Sequence, residues 1–342
     1  MAADRPAITL FLKWRFKTMN WINAFELICY VITFFLLADI VKRKNWQELY
    51  LFFSAALAGF MLELLAVRLT GIYHYSDKYY FSIGTLPYQF PFFGGLMWGG
   101  VTVCALRLSK KIAANPFKRA LLTGWLVVSM DLLLDVAAIR LDGGFWIWEG
   151  RPITLDINHH MLMSVIWVNF LGYLFETPAI AYFTLKYQEK QEKSARLQKA
   201  DKKPVSDQKR RAQSVSSVSR NLLAALLIGL AGVAFVAVAS SLALLLDGVS
   251  DEWFSCLSFI LIWILILVDL LRQLYRKREK ISFRGKKDWV LLSFWAALYG
   301  YCLAALWKLE ILQSRPLYAL LSILLATGTL TLCLMNVDEE KA

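Results

Sequence analysis

Two aspartates four residues apart, Asp131 and Asp135, stand in the otherwise apolar run "LLTGWLVVSMDLLLDVAA". On a helix that spacing stacks both carboxyls on one face. Two adjacent carboxyls away from water cannot both ionise cheaply, so one keeps its proton, the state a general acid needs at neutral pH. Glu63, Asn169 and Glu176 also fall inside apolar runs of the same half of the chain. An acidic group at bilayer depth costs about 2.5–3.5 kcal/mol on insertion scales, so each needs a partner, a water-filled cavity or a proton. Either Asp131 and Asp135 do acid–base chemistry, or they are structural and pair with Arg140, Arg68 or a backbone donor.

The elements that must carry them are membrane helices. The 342-residue chain is 58% hydrophobic with 13 Trp and 22 Phe, and its mean hydropathy is +0.49, which excludes an ordinary soluble domain. Windows of about 20 apolar residues predict an all-α, polytopic bundle of nine spans near 21–41, 48–68, 86–107, 119–139, 160–185, 221–246, 253–273, 289–308 and 316–335. The net charge of +12 gathers between spans, where it sets topology and meets anionic lipid headgroups. Nucleic acid is therefore not an expected partner. The basic loops, including Lys42 to Lys44 and the stretch after the seventh span, are expected in the cytoplasm. Nine spans with a cytoplasmic C-terminus then place the N-terminus outside, although residues 1–20 carry Lys13, Arg15 and Lys17 among aromatics. That segment reads as retained and interfacial.

Residues 186–220 hold eleven Lys/Arg against four Asp/Glu and read as a basic cytoplasmic linker, partly helical where it leaves the fifth span. It divides a five-helix domain, 1–185, from a four-helix domain, 221–342. The second half offers little chemistry beyond Asp269 near a cytoplasmic end. Five scattered cysteines, Cys29, Cys104, Cys256, Cys302 and Cys333, have no paired spacing and argue against a disulfide framework.

This topology puts Glu63, Asp131, Asp135 and Asn169 in the outer halves of their helices, beside the outer loops "TGIYHYSDKYYFSIGTLP" and "LDGGFWIWEG". One pocket near the outer interface is the economical inference. Trp146 and Trp148 share a face if their loop is extended. They are either an interfacial aromatic belt or a π-faced wall against a cation or conjugated chain. His159 and His160 are neighbours, which on a helix face apart, and no third ligand stands nearby in sequence, so no metal or other cofactor is expected. Glu176, two residues before Pro178, is read as a structural group at a kink or as a catalytic one. The Gly-Gly pairs at 94–95 and 99–100 are expected to let helices pack closely.

The order of motifs resembles the carotenoid biosynthesis protein family of integral membrane proteins, which includes carotenoid 1,2-hydratases of the bisanhydrobacterioruberin hydratase type. Over residues 48–182 the chain shows Glu63, then Thr70-Gly71 with Tyr73-x-Tyr75. There follow "LPYQFPFFGGLMW" with Pro87, Pro91 and Trp98, the Asp131-x3-Asp135 helix, "GGFWIW", and "NFLG" from Asn169 to Gly172. It is a divergent member: Val136 stands where the family usually has proline after the second aspartate, the lead into the tyrosine pair is shortened, and Tyr173 replaces a tryptophan.

The resemblance implies acid-initiated hydration of a terminal C=C of a linear carotenoid in a prokaryotic cytoplasmic membrane. Asp131 or Asp135 would be the acid, and the other or Glu63 the base that delivers water. Trp146, Trp148 and Tyr75 would form the cation wall, Asn169 would position, and Tyr73 and Trp98 would join the substrate site. The polyene or polyprenyl substrate would enter from lipid, and no cofactor would be needed. Three rivals remain: a terpene or lycopene-type cyclase sharing the same first step, a proton-coupled transporter, and a scaffold docking other pathway enzymes through the basic linker.

Overall fold

The computed structural model describes residues 19–200 and 207–337. Ten helices run in order: α1 Trp21–Lys42, α2 Trp46–Leu69, α3 Phe92–Ile112, α4 Pro116–Ala138, α5 Trp167–Ala200, α6 Asp207–Ser250, α7 Trp253–Arg276, α8 Trp289–Lys308, the single turn α9 Ile311–Ser314, and α10 Pro316–Leu334. Among the described residues eight are long and apolar enough to cross a membrane: α1 to α4, α6 from Val218, α7, α8 and α10. The chain is an all-α integral membrane protein. The ninth expected span, α5, packs among the others but carries Asn169, Glu176 and Pro178 along its upper turns and falls outside those eight. The expected interfacial segment before residue 19 lies outside the described residues. Helices α5 and α6 extend far into the basic stretch between them, and residues 201–206 lie outside the description.

Helix α4 is the axis of the bundle, with 89% of its membrane window buried, against 28% for α6 and α7, whose leucine faces remain open to lipid. It packs along α3 and α5, and the later helices brace it. Trp125 and Ser129 of α4 exchange hydrogen bonds with Trp263 of α7, at 3.1 Å each. The hydroxyl of Tyr318 in α10 donates to the Leu132 carbonyl at 2.8 Å, and that of Tyr301 in α8 donates to the Trp21 carbonyl at 2.8 Å. Apolar as they are, these helices fix the one that carries the paired aspartates.

Short strands finish the helix ends: β1 Tyr73–Tyr75, β2 Ser82–Ile83, β3 Phe90–Pro91, β4 Trp146–Trp148, β5 Met161–Leu162, β6 Val165–Ile166, β7 Ile281–Ser282 and β8 Asn336–Val337. They pair antiparallel as β1 with β4, β2 with β3, β5 with β6 and β7 with β8. Two expected helix starts are corrected by these pairs. Helix α3 begins at Phe92 and not near 86, because Pro87 and Pro91 disfavour helix in the residues before them and Pro91 is itself the extended N-cap. Helix α5 begins at Trp167 and not at 160, because residues 161–166 turn as a hairpin through Met163 and Ser164, both at positive φ. His159 and His160 therefore lie in irregular chain, with ring centroids 3.8 Å apart, and do not face away from one another as they would on a helix.

The end of the bundle carrying the basic loops is closed by charge. Arg107 of α3 meets Glu48 of α2 at 2.7 Å, Asp39 of α1 at 3.0 Å and Asp288 at the start of α8 at 3.3 Å. Lys111 donates to the carbonyls of Cys333 and Met335 at the end of α10. Trp21, at the start of α1, lies at the opposite end, where its N–H donates to Asp142 at 2.5 Å. The described start of the chain is thus at the end away from the basic loops.

Candidate functional site

The opposite end is built from aromatics and acids. After α4 the chain reverses through Asp142, Gly143 and Gly144, all at positive φ. A side chain on Gly144 would also sit 2.9 Å from the Trp146 carbonyl oxygen, so the "GG" of this loop is what lets β4 turn back. The register sets Tyr73 opposite Trp148, His74 opposite Ile147 and Tyr75 opposite Trp146. Alternation along a strand then puts both tyrosines and both tryptophans on one face. Their rings touch across the pair, Tyr73 to Trp148 at 5.2 Å and Tyr75 to Trp146 at 6.2 Å between centroids. His74 faces the other way and meets Glu149 at 2.5 Å.

Beneath this sheet lies a half-open cleft. Glu63, Asp131 and Asp135 open into it, and Tyr75, Trp98, Trp146 and Tyr173 wall it. With a rise of about 1.5 Å per residue, Glu63 and both aspartates lie within two turns of their helix ends. Glu63 Oε2 accepts from the Tyr73 hydroxyl at 2.6 Å and the Tyr75 hydroxyl at 2.8 Å. Burial first, and the neighbouring Glu63 charge next, push both phenols well above the ordinary tyrosine range, so they stay protonated donors. Asp131 and Asp135 stand one turn apart on α4 and both reach the cleft, and Asn169 Nδ2 donates to Asp135 Oδ2 at 2.5 Å. Asp131 Oδ2 and Asp135 Oδ1 are buried without a hydrogen-bond partner.

The cations proposed as structural partners are engaged elsewhere. Arg140 donates to the backbone carbonyls of Val136 at 2.6 Å, Met163 at 2.8 Å and Thr154, and burial lowers it to about 10. Arg68 is exposed. Among the described residues the carboxyl pair thus faces the cleft with no ion-pair partner.

Of the sequence-derived candidates, Glu63, Asp131, Asp135, Tyr75, Trp98 and Trp146 line the cleft, while Tyr73, Trp148 and Asn169 stand behind it and hold those that do. Trp98 lies against Gly59, where an added Cβ would come within 2.2 Å of its ring. Glu176 is fully buried with neither oxygen hydrogen-bonded, and α5 continues through Pro178. The sequence reading missed Tyr173, one turn beyond Asn169 on the same face of α5, whose ring lies 4.9 Å from that of Trp98. It also missed Glu26, a buried acid of α1 that accepts the backbone N–H groups of Tyr80 at 2.7 Å and Phe81 at 3.0 Å and so holds the loop beside the cleft.

Comparison with curated proteins finds no significant match, and comparison with solved structures finds none. A family model described as carotenoid biosynthesis protein matches residues 22–249, from the start of α1 through α6. That stretch holds every group of the cleft and its supports named above, save the braces from α7, α8 and α10. The chain belongs to the carotenoid biosynthesis protein family and has its role in carotenoid biosynthesis.

Proposed function

We propose that the protein hydrates a terminal C=C of a linear carotenoid by acid catalysis, and the observation that carries this is a buried carboxyl pair opening into an aromatic-walled cleft without a cationic partner. Protonating an isolated trisubstituted alkene needs a neutral acid in a dry site. Two adjoining carboxyls retain a proton for the reason that two charges so close are mutually unfavourable. Asn169 favours the charge on Asp135, which leaves the proton on Asp131.

In the proposed step Asp131 gives that proton to the less substituted alkene carbon, and the π electrons form the new C–H bond. The tertiary cation left behind is stabilised by the faces of Trp146, Tyr75 and Trp98. Water then forms the C–O bond and releases a proton to Glu63, whose Oε2 accepts from the Tyr73 and Tyr75 hydroxyls and is held by them at the cleft. Transfer of that proton back to the aspartate pair completes the cycle. The sum is alkene plus water giving tertiary alcohol.

Lipid-facing helices around the cleft support delivery of the polyene from the bilayer, and the basic loops support contact with anionic headgroups. A prokaryotic cytoplasmic membrane is the proposed setting, on the resemblance alone. Expression in cells that accumulate an acyclic carotenoid, followed by pigment mass analysis, tests the reading. Gain of one water mass supports it, whereas a product of unchanged mass and new ring structure would establish the cyclase.

A further inference from the structure

At the same end of the bundle, outside the cleft, the irregular chain before β5 meets the turn between α6 and α7. We propose that His159, His160 and Asp251, with Glu252 beside them, bind a divalent transition-metal ion of the zinc type that clasps this turn to the loop leading into α5. One ligand atom from each of the first three lies within 4.8 Å of the others. His159 Nε2 is 3.4 Å from Asp251 Oδ2, and His160 Nδ1 is 3.3 Å from Glu252 Oε2. Ligands bound tetrahedrally at about 2.0–2.2 Å sit about 3.3–3.6 Å from one another, so small side-chain rotations suffice to close the set.

The imidazoles are held in place by other bonds. Asn158 Oδ1 accepts from the backbone N–H groups of His160 at 2.9 Å and Met161 at 3.1 Å, and the Asn158 carbonyl accepts from Trp167 Nε1 at 2.7 Å. The His159 ring stacks on Trp253 with centroids 4.4 Å apart and planes 2° from parallel. Asp251 and Glu252 are consecutive non-glycine residues at positive φ, 52° and 64°, a conformation that holds both carboxylates at the turn.

The set borders a half-open cleft lined by His160, Asp247, Asp251, Glu252 and Arg151 among others. Three carboxylates there face one guanidinium, and Arg151 reaches only Glu252, at 3.6 Å. The surplus of negative charge favours a cation. Two imidazoles with carboxylate oxygen select zinc, nickel or copper over magnesium and calcium, which prefer all-oxygen sites. The family match ends at residue 249, so His159 and His160 lie within it and Asp251 and Glu252 lie beyond it.

The test uses the full chain in detergent, freed of affinity tag and stripped with chelator, titrated with zinc ions by calorimetry and followed by thermal unfolding. Expected are one zinc ion per chain, a raised melting temperature, and no comparable response to magnesium or calcium. The H159A/H160A double variant should lose saturable binding and D251N should weaken it. H74A, which removes the only other histidine of the chain, should change neither. D251N alters an exposed side chain and keeps the test usable if the double variant does not fold. Absence of stoichiometric zinc binding, or binding untouched in D251N and in a folded double variant, would overturn the proposal. None of these readouts depends on the carotenoid reaction.

Discussion

The two ends of the bundle bury acids in opposite ways. At the basic end Glu48, Asp39 and Asp288 converge on Arg107, which with Arg43 gives the carboxylates cationic partners and ties four helices together. At the aromatic end Glu63, Asp131 and Asp135 meet two phenols, an amide and each other. Charge neutralised by charge fastens helices. Carboxyls held by neutral donors beside a cleft have no such cation to neutralise them. The first arrangement is a staple, and the second is the reagent of the proposed function.

The largest expected effect breaks the reagent without breaking the fold. D131N or D135N should lower turnover by about a hundredfold to ten-thousandfold, the usual worth of a general acid, while the melting temperature holds or rises. Pigment conversion per folded molecule and thermal unfolding read the two quantities separately. The converse comes from the staple. R107A should destabilise the protein by about 3–5 kcal/mol by leaving carboxylates buried without their cation, and the surviving folded fraction should keep its turnover per molecule. Loss of turnover per folded molecule in R107A would erase the distinction between the ends.

Y75F removes one of two donors to Glu63 and should raise the barrier by about 1.5–3 kcal/mol, the worth of a hydrogen bond to a charged group. Its kcat should fall more than KM rises. The smallest effect belongs to Glu176, buried with neither oxygen hydrogen-bonded and away from the cleft. E176L removes an unsatisfied polar group and should leave stability unchanged or raised by about 1 kcal/mol, measured by thermal unfolding. A large loss of turnover in E176L would move the boundary of the site deeper along α5.

How much of this was legible in the sequence follows the range of each interaction. Asp131 and Asp135 could be placed on one face because an i,i+4 spacing is local. Trp146 and Trp148 could be aligned because strand alternation is local too. That Trp148 stands opposite Tyr73 could not be read, since pairing residues 75 apart depends on how α2 and α4 end in space. For the same reason Arg140 looked like a partner for the aspartates, whereas three backbone carbonyls claim it once the β5–β6 hairpin folds over it. His159 lacked a third ligand nearby in sequence because Asp251 is 92 residues away. The helix starts at Phe92 and Trp167 were placed too early because hydropathy does not distinguish a short apolar hairpin from the first turn of a span.

The central claim is that the paired aspartates protonate a carotenoid end and water completes the product. It is tested most directly by incubating purified wild type, D131N and D135N with an acyclic carotenoid in water enriched in heavy oxygen. The account predicts a wild-type product carrying one heavy oxygen atom in a tertiary hydroxyl, and no such product from either variant. A product without heavy oxygen, or full labelling by both variants, would contradict it.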